Sequence, residues 1–188
     1  GAQQFILEKM PAWVEKHGKN AVFFCTNAAH AEPLLKSVAE LGGYFIESDV
    51  PSPLKGYPGA FGIDFTKEKG DWPAILKKLE DAVVAAGGGG RMGTWAFSLG
   101  YTHTAALAEF GKRVVEGQAK LDSLKDLIAC YNDVTPGATW NASYFVDAWT
   151  GVRNKKMVLL YQDTYMLGKG FMGTTSVEVP EKYYSVSK

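Results

Sequence analysis

Ser98 is the side chain in this sequence whose setting most resembles that of a nucleophile. It stands in Ala96-Phe97-Ser98-Leu99-Gly100, between a predicted strand and a predicted helix, where a nucleophile elbow presents its hydroxyl. Such a serine needs a base held in place by a third group. In that fold the histidine follows the acid, and beyond Ser98 the sequence offers only His103. A hydrolase built on Ser98, or on acid–base work by His30 and Asp49, is therefore the runner-up reading.

Two runs satisfy the dinucleotide pattern G-x-G-x-x-G, Gly88-Gly90-Gly93 and Gly168-Gly170-Gly173. Phosphate binding needs a strand before the glycines and a helix after them. The first run has a helix before and a strand after; the second leads into Val177-Glu178-Val179-Pro180, which does not read as helix. Both are read as loop glycines. His17, His30 and His103 share no metal-ligand spacing with one another or with Cys25 and Cys130, and no cofactor is expected. Asn141-Ala142-Ser143 fits a glycosylation acceptor, which matters only in a eukaryotic secretory setting.

Binding is better supported than chemistry. A buried strand over Ala21 to Cys25 ends in Thr26-Asn27, and a second over Tyr44 to Glu47 ends in Asp49-Val50-Pro51-Ser52-Pro53. In open α/β sheets ligands sit outside the carboxyl ends of the strands. Trp95, Tyr57, Tyr101 and Trp149 adjoin Gly, Thr, Asp or Pro at such ends. Aromatic walls with a few placed polar groups suit a small polar ring such as a sugar or nucleoside.

The elements that must position these residues follow from periodicity. Residues 3–17 read as an amphipathic helix that Pro11 should kink or split at Met10. A helix starts near Ala31 with Pro33 in its first turn. Another is capped by Asp71, with Trp72, Ile75, Leu76, Leu79 and Val83 as its apolar stripe. Arg91 to Phe97 reads as a third strand, followed by helices over 102–116 and 123–131, the latter with a capping-box pattern in Ser123 and Asp126. Trp140 to Trp149 and Met157 to Leu167 read as a β-hairpin or neighbouring strands.

Composition narrows the class. Lys+Arg and Asp+Glu balance at 20 each, so no global field favours nucleic acid or an anionic membrane. The longest apolar runs are too short to span a bilayer. Two cysteines do not make a disulfide framework. The chain opens on Gly1-Ala2-Gln3-Gln4 without initiator Met or signal segment, which suggests a piece of a longer polypeptide.

Ala21 to Asn27, Glu32-Pro33-Leu34, Pro51-Ser52-Pro53 with Gly56-Tyr57-Pro58-Gly59-Ala60, and Gly90-Arg91-Met92-Gly93-Thr94-Trp95 resemble the second half of an uncharacterised bacterial family of predicted lipoproteins. That family is similar to the type I periplasmic solute-binding proteins, whose two Rossmann-like lobes close on a ligand, as in ribose-binding protein. The resemblance implies ligand contact by Asn27 and by Asp49 or Ser52. It also implies an N-terminal lobe and a lipidated cysteine outside this segment, and no catalysis.

The expectation is an α/β fold with a three-layer Rossmann-like lobe, a mainly parallel sheet and a strand-rich C-terminal part. Residues 1–188 would form the C-terminal portion of a two-lobed module, with βαβ units over about 1–90 and the remaining strands and helices, 91–188, contributing to the other lobe. The expected function is extracytoplasmic binding of a sugar- or nucleoside-like ligand for the permease of an ABC-type importer, not catalysis. Candidate ligand contacts are Asn27, His30, Asp49, Ser52, Tyr57, Trp95 and Tyr101. A third reading, the effector-sensing part of a transcription regulator, needs a helix-turn-helix segment that this sequence does not show.

Overall fold

The structure, a computed structural model, describes residues 1–175 apart from the side chains of Lys155 and Lys156; the Val177–Pro180 run lies outside the described residues. Helix α1 (Ala2–His17) continues as one helix across Pro11, where the sequence predicts a kink or a split. The proline is exposed, so water can satisfy the Leu7 carbonyl it leaves without a donor.

Strands β1 (Val22–Phe23) and β2 (Tyr44–Phe45) pair in parallel around helix α2 (Ala31–Leu41), the βαβ unit the sequence predicts. A parallel bridge from Phe45 to Met92, with the Phe45 N–H donated to the Arg91 carbonyl, brings β3 (Gly93–Thr94) beside β2. Among the described residues β1 has no other neighbour. Val22 and Phe24 are 63% and 61% exposed, so the strand is half-buried, not the fully buried one expected.

The mainly parallel sheet is corrected too. Strand β3 pairs antiparallel with β6 (Tyr165–Met166), and β6 pairs antiparallel with β7 (Gly170–Phe171). Strands β4 (Trp140–Val146) and β5 (Arg153–Gln162) form the antiparallel hairpin. The links Asp147 to Val152 and Leu167 to Lys169 join the strands of these two hairpins and are too short for the crossover that a parallel pair needs. Helices α5 (Leu99–Val115) and α6 (Leu124–Val134), which could have supplied crossovers, pack on each other instead.

Two short stretches of sequence set the loops between them. At Gly56 the backbone takes φ 77°, and a Cβ there would lie 2.8 Å from that of Ala31; only glycine lets the chain pass this close to α2. Helix α3 (Tyr57–Phe61) follows directly. Helix α4 (Trp72–Ala85) starts where expected, its Ala74 N–H donated to Asp71 Oδ1 at 3.1 Å. Replacing Asp71 with Ala is expected to cost about 1 kcal/mol in urea denaturation, with Asn retaining most of it. At α6 the Asp126 N–H is donated to Ser123 Oγ at 3.2 Å, but the Asp126 carboxylate accepts from the Lys120 N–H rather than closing the capping box. That bond, above all, holds its pKa below the ordinary carboxylate value.

Burial separates two cores. The first gathers Met10 and Val14 of α1, Leu34, Leu35 and Val38 of α2, Phe45, Tyr57, Leu79, Val83, Met92 and Leu167. The second gathers Ala106 and Phe110 of α5, Leu127, Cys130 and Tyr131 of α6, and Trp140 of β4. The chain passes between them after β3 and returns after β5 to reach β6.

Candidate functional site

Polar loops follow the carboxyl ends of β1, β2 and β3, and after β3 the chain leaves the first core, which holds Met92, for the second, on which Trp95 packs. Behind β1, Asn27 is exposed and its Oδ1 accepts the Ala29 N–H at 2.9 Å, starting a short 3-10 turn that leads through half-buried His30 into α2. The buried Cys25 thiol has its pKa raised by loss of water, and further by the negative charge of exposed Asp49. It is therefore a protonated core thiol, with Asp49 and the Asn27 backbone beside it at the end of its strand.

Ser52 is buried, its Oγ accepting the Leu54 N–H at 3.1 Å. The adjacent Pro51 carbonyl accepts the N–H of Leu99, tying this loop to the start of α5. Tyr57 is 1% exposed and donates its hydroxyl to the Gly93 carbonyl at 2.7 Å. Ring and hydroxyl are both occupied by the first core, so Tyr57 supports the β3 end and does not line the crevice. Burial raises its pKa well above the ordinary value, with the Glu47 charge adding to it.

Trp95 is half-buried, edge-on to Trp140 at 5.4 Å and to His103 at 6.2 Å between centroids. His103 Nδ1 lies 2.6 Å from the Tyr131 hydroxyl, and burial lowers the His103 pKa. Ser98 caps α5, its Oγ accepting from the Tyr101 N–H at 3.5 Å. The two residues of the serine-hydrolase reading are thus each engaged with other groups. Tyr101, 42% exposed, lies with Trp72 at 5.2 Å and stacks on Phe97. Together these rings wall an open cleft of about 810 Å³ that also touches Lys69, Asp71 and Asp133.

Glu47 is the residue that sequence reasoning passes over. It follows β2, and its Oε1 accepts the Ser48 N–H at 3.1 Å. Its Oε2 is buried with no hydrogen-bond partner among the described residues. Loss of water raises its pKa from 4.5 to about 8, against the weaker opposite pull of the Ser48 and Trp95 N–H groups. A half-buried carboxyl with one oxygen unsatisfied is costly to keep unless something uses it. In sequence it is the last residue of the predicted strand Tyr44 to Glu47, a charged strand end that ordinarily faces water.

The glycine runs resolve as packing and turns. A Cβ on Gly93 would sit 2.7 Å from the Ile46 carbonyl, so glycine is what lets β3 approach the end of β2. Gly168, Gly170 and Gly173 all take positive φ in the β6–β7 region. Among the described residues no three His, Cys, Asp or Glu side chains converge as metal ligands, and no helix is long and apolar enough to cross a membrane.

These features define a mixed α/β protein with two cores and polar residues following its short strands. Residues 1–93 match the model of a family described as "Protein of unknown function (DUF3798)", and residues 104–186 match a second family model. An uncharacterised protein of Treponema pallidum (strain Nichols) is 31% identical over 84 residues, 45% of this chain and 37% of that protein. A second uncharacterised protein of that strain is 27% identical over 85 residues, 45% of this chain and 96% of the relative. The chain thus spans little more than a third of the length of the first of these relatives. In three dimensions it is similar to a Clostridium difficile 630 protein described as a candidate transcriptional regulator, with TM-score 0.71 and 20% identity over 87% of this chain and 46% of that one. That likeness establishes a shared fold.

Proposed function

We propose that this chain is the ligand-binding C-terminal portion of an extracytoplasmic solute-binding protein. It holds a small polar molecule, sugar- or nucleoside-like, at the junction of two lobes and delivers it to an ABC-type importer without catalysis. One lobe is built on the core of α1 to α4 and β1 to β3 together with β6 and β7, the other on α5, α6 and the β4–β5 hairpin. The rest of the binding wall, and a lipid anchor, belong to sequence outside this segment. Closure over the crevice would be favoured by contacts available only in the closed state.

The observation that carries the reading is Glu47, a carboxyl group at the end of β2 with a buried, unpartnered oxygen, near the N–H of half-buried Trp95. A ligand hydroxyl, able to accept from the protonated carboxyl or to donate to the ionised one, supplies the missing partner at Oε2. Asn27 and Asp49 offer further polar groups after β1 and β2, and Tyr101 an aromatic wall in the cleft it lines with Trp72 and Phe97. The resemblance to type I solute-binding proteins supports the same placement.

A thermal-shift series on the full-length protein tests this with ribose, galactose, adenosine and the common amino acids. At least one compound should raise Tm by several degrees near a hundredfold excess over its Kd, and Glu47→Gln should reduce that shift. No stabilisation by any of them, together with turnover of a substrate, would overturn the reading.

The likeness to the Clostridium protein favours a second reading, an effector-sensing module of a transcription regulator. It calls for a DNA-binding segment elsewhere in the full-length protein, which an electrophoretic mobility shift with genomic DNA fragments would reveal.

A further inference from the structure

Strand β1 is paired on one side only. Its register sets Val22 beside Tyr44 and Phe23 beside Phe45, and Tyr44 donates its N–H to the Ala21 carbonyl at 2.8 Å. In a parallel ladder this pattern turns the N–H and C=O of Phe23 toward β2 and those of Val22 and Phe24 away from it. Both outward residues are exposed, and among the described residues no hydrogen bond uses the Phe24 N–H or C=O. Phe23 and Cys25 face the first core, so the side chains of Val22 and Phe24 lie on the opposite, uncovered face. Parallel sheets are built with both faces covered, and an apolar edge left open invites pairing with another strand.

The two ends of the described chain stand differently to this edge. Across the sheet the order runs β1, β2, then β3 through the Phe45–Met92 bridge, then β6 and β7. The last strand therefore lies at the far edge, four strand spacings or about 19 Å from β1. Helix α1, by contrast, begins close by. Gln3 in its first turn donates Nε2–H to the Ala29 carbonyl at 3.2 Å, which places the start of α1 beside the loop after β1. That is the carboxyl end of the sheet, where a parallel strand hands the chain to its helix. From there α1 runs back, turns at Gly18 and enters β1, just as α2 runs back, turns at Gly42 and enters β2. Both helices pack on each other in the first core. With both on one face, a right-handed crossover places the strand that precedes α1 on the side of β1 away from β2.

We propose that a strand of the polypeptide ahead of Gly1 pairs in parallel with the free edge of β1, and that α1 is a crossover helix returning from that part of the sheet. The preceding sequence then completes this lobe's own sheet, besides supplying a second lobe. This chain spans 46% of the similar Clostridium protein, so a protein of this fold has the polypeptide to supply such a strand. A second copy of the chain is the competing occupant; across a two-fold axis its β1 would meet this one antiparallel. The surface holds no ligand, and the inference does not depend on Glu47 or on the transport reading.

Amide hydrogen exchange, followed residue by residue by NMR on the full-length protein, tests the assignment. Phe23 serves as internal standard, because its N–H is the one that faces β2. The Val22 and Phe24 amides should exchange at least about a hundredfold more slowly than unstructured amides, and within about tenfold of Phe23. Cross-strand NOEs from both should lead to residues ahead of Gly1 in parallel register, and neither result should change on dilution. Fast exchange at Val22 and Phe24 beside a protected Phe23 would show an open edge and overturn the proposal. So would NOEs that lead to another part of this chain, or protection that disappears on dilution as a second copy dissociates.

Discussion

Replacing Glu47 with glutamine is expected to flatten the pH dependence of stability between pH 5 and pH 9. In the folded chain the Glu47 pKa is pushed up to about 8 by burial, against 4.5 for an ordinary glutamate. Below pH 4.5 folded and unfolded chains both carry the proton and the group contributes nothing to the balance. Above that, the unfolded chain releases the proton while the folded one keeps it, so stability falls as pH rises, until the folded group also ionises near pH 8. Each pH unit of this window is worth about 1.4 kcal/mol, so the whole loss is on the order of 5 kcal/mol, of which roughly 4 kcal/mol falls between pH 5 and pH 9. Urea denaturation of wild type and Glu47→Gln at pH 5, 7 and 9 measures it. The variant should lack this component, and parallel pH profiles would show that Glu47 is an ordinary, solvated carboxylate.

Loss of the Arg91 guanidinium is expected to be the largest purely structural effect. Arg91 donates to the carbonyls of Val38 at 3.0 Å, Gly43 at 2.7 Å and Gly87 at 2.7 Å, and more distantly to that of Ala39. It therefore joins the carboxyl end of α2 to the entry of β2 and to the turn that follows α4. A cation is also well placed against the carbonyl end of a helix. Val38 keeps a second partner in the Gly42 N–H, so the real loss is at Gly43 and Gly87. With charged hydrogen bonds contributing about 1.5–3 kcal/mol each, Arg91→Met should cost about 3 kcal/mol in urea denaturation, with an unchanged m-value. Arg91→Lys should recover less than half, because a single ammonium cannot span carbonyls that the planar fork reaches together. A cost below about 0.5 kcal/mol for Arg91→Met would show that these bonds add nothing.

Local signals in the sequence were the reliable ones. Asp71 followed by Pro73 and Ser123 before α6 specify their helices through their own neighbours, and both stand where expected. The hairpin also forms about Thr150-Gly151, but its second strand is Arg153–Gln162, and Tyr165–Met166, expected to continue it, pairs with β3 instead. Sheet direction was not legible in that way. Alternation along a strand reports burial, and nothing in Gly93-Thr94 or Tyr165-Met166 states that they run in opposite directions. The short turn between β6 and β7 held that information, but it sits among glycines that also fitted a phosphate loop.

The site was half legible for the same reason. Asn27, Asp49 and Trp95 are candidates because turn-forming and aromatic residues at strand ends carry a pattern. Tyr57 carries that pattern too, yet Gly56 and the short α3 deliver it into the core. Glu47 carries no pattern at all. What marks it is burial of a polar atom with no partner, a three-dimensional property that its neighbours in sequence do not encode.

The central claim is that Glu47 is a crevice carboxyl kept available for a ligand. Its side-chain carboxyl ¹³C resonance, followed by NMR from pH 4 to pH 10, tests this directly. The account predicts a midpoint near pH 8 that moves when the strongest binder among ribose, galactose, adenosine and the amino acids is added to saturation. A midpoint near 4.5, unmoved by any of these compounds, would contradict it.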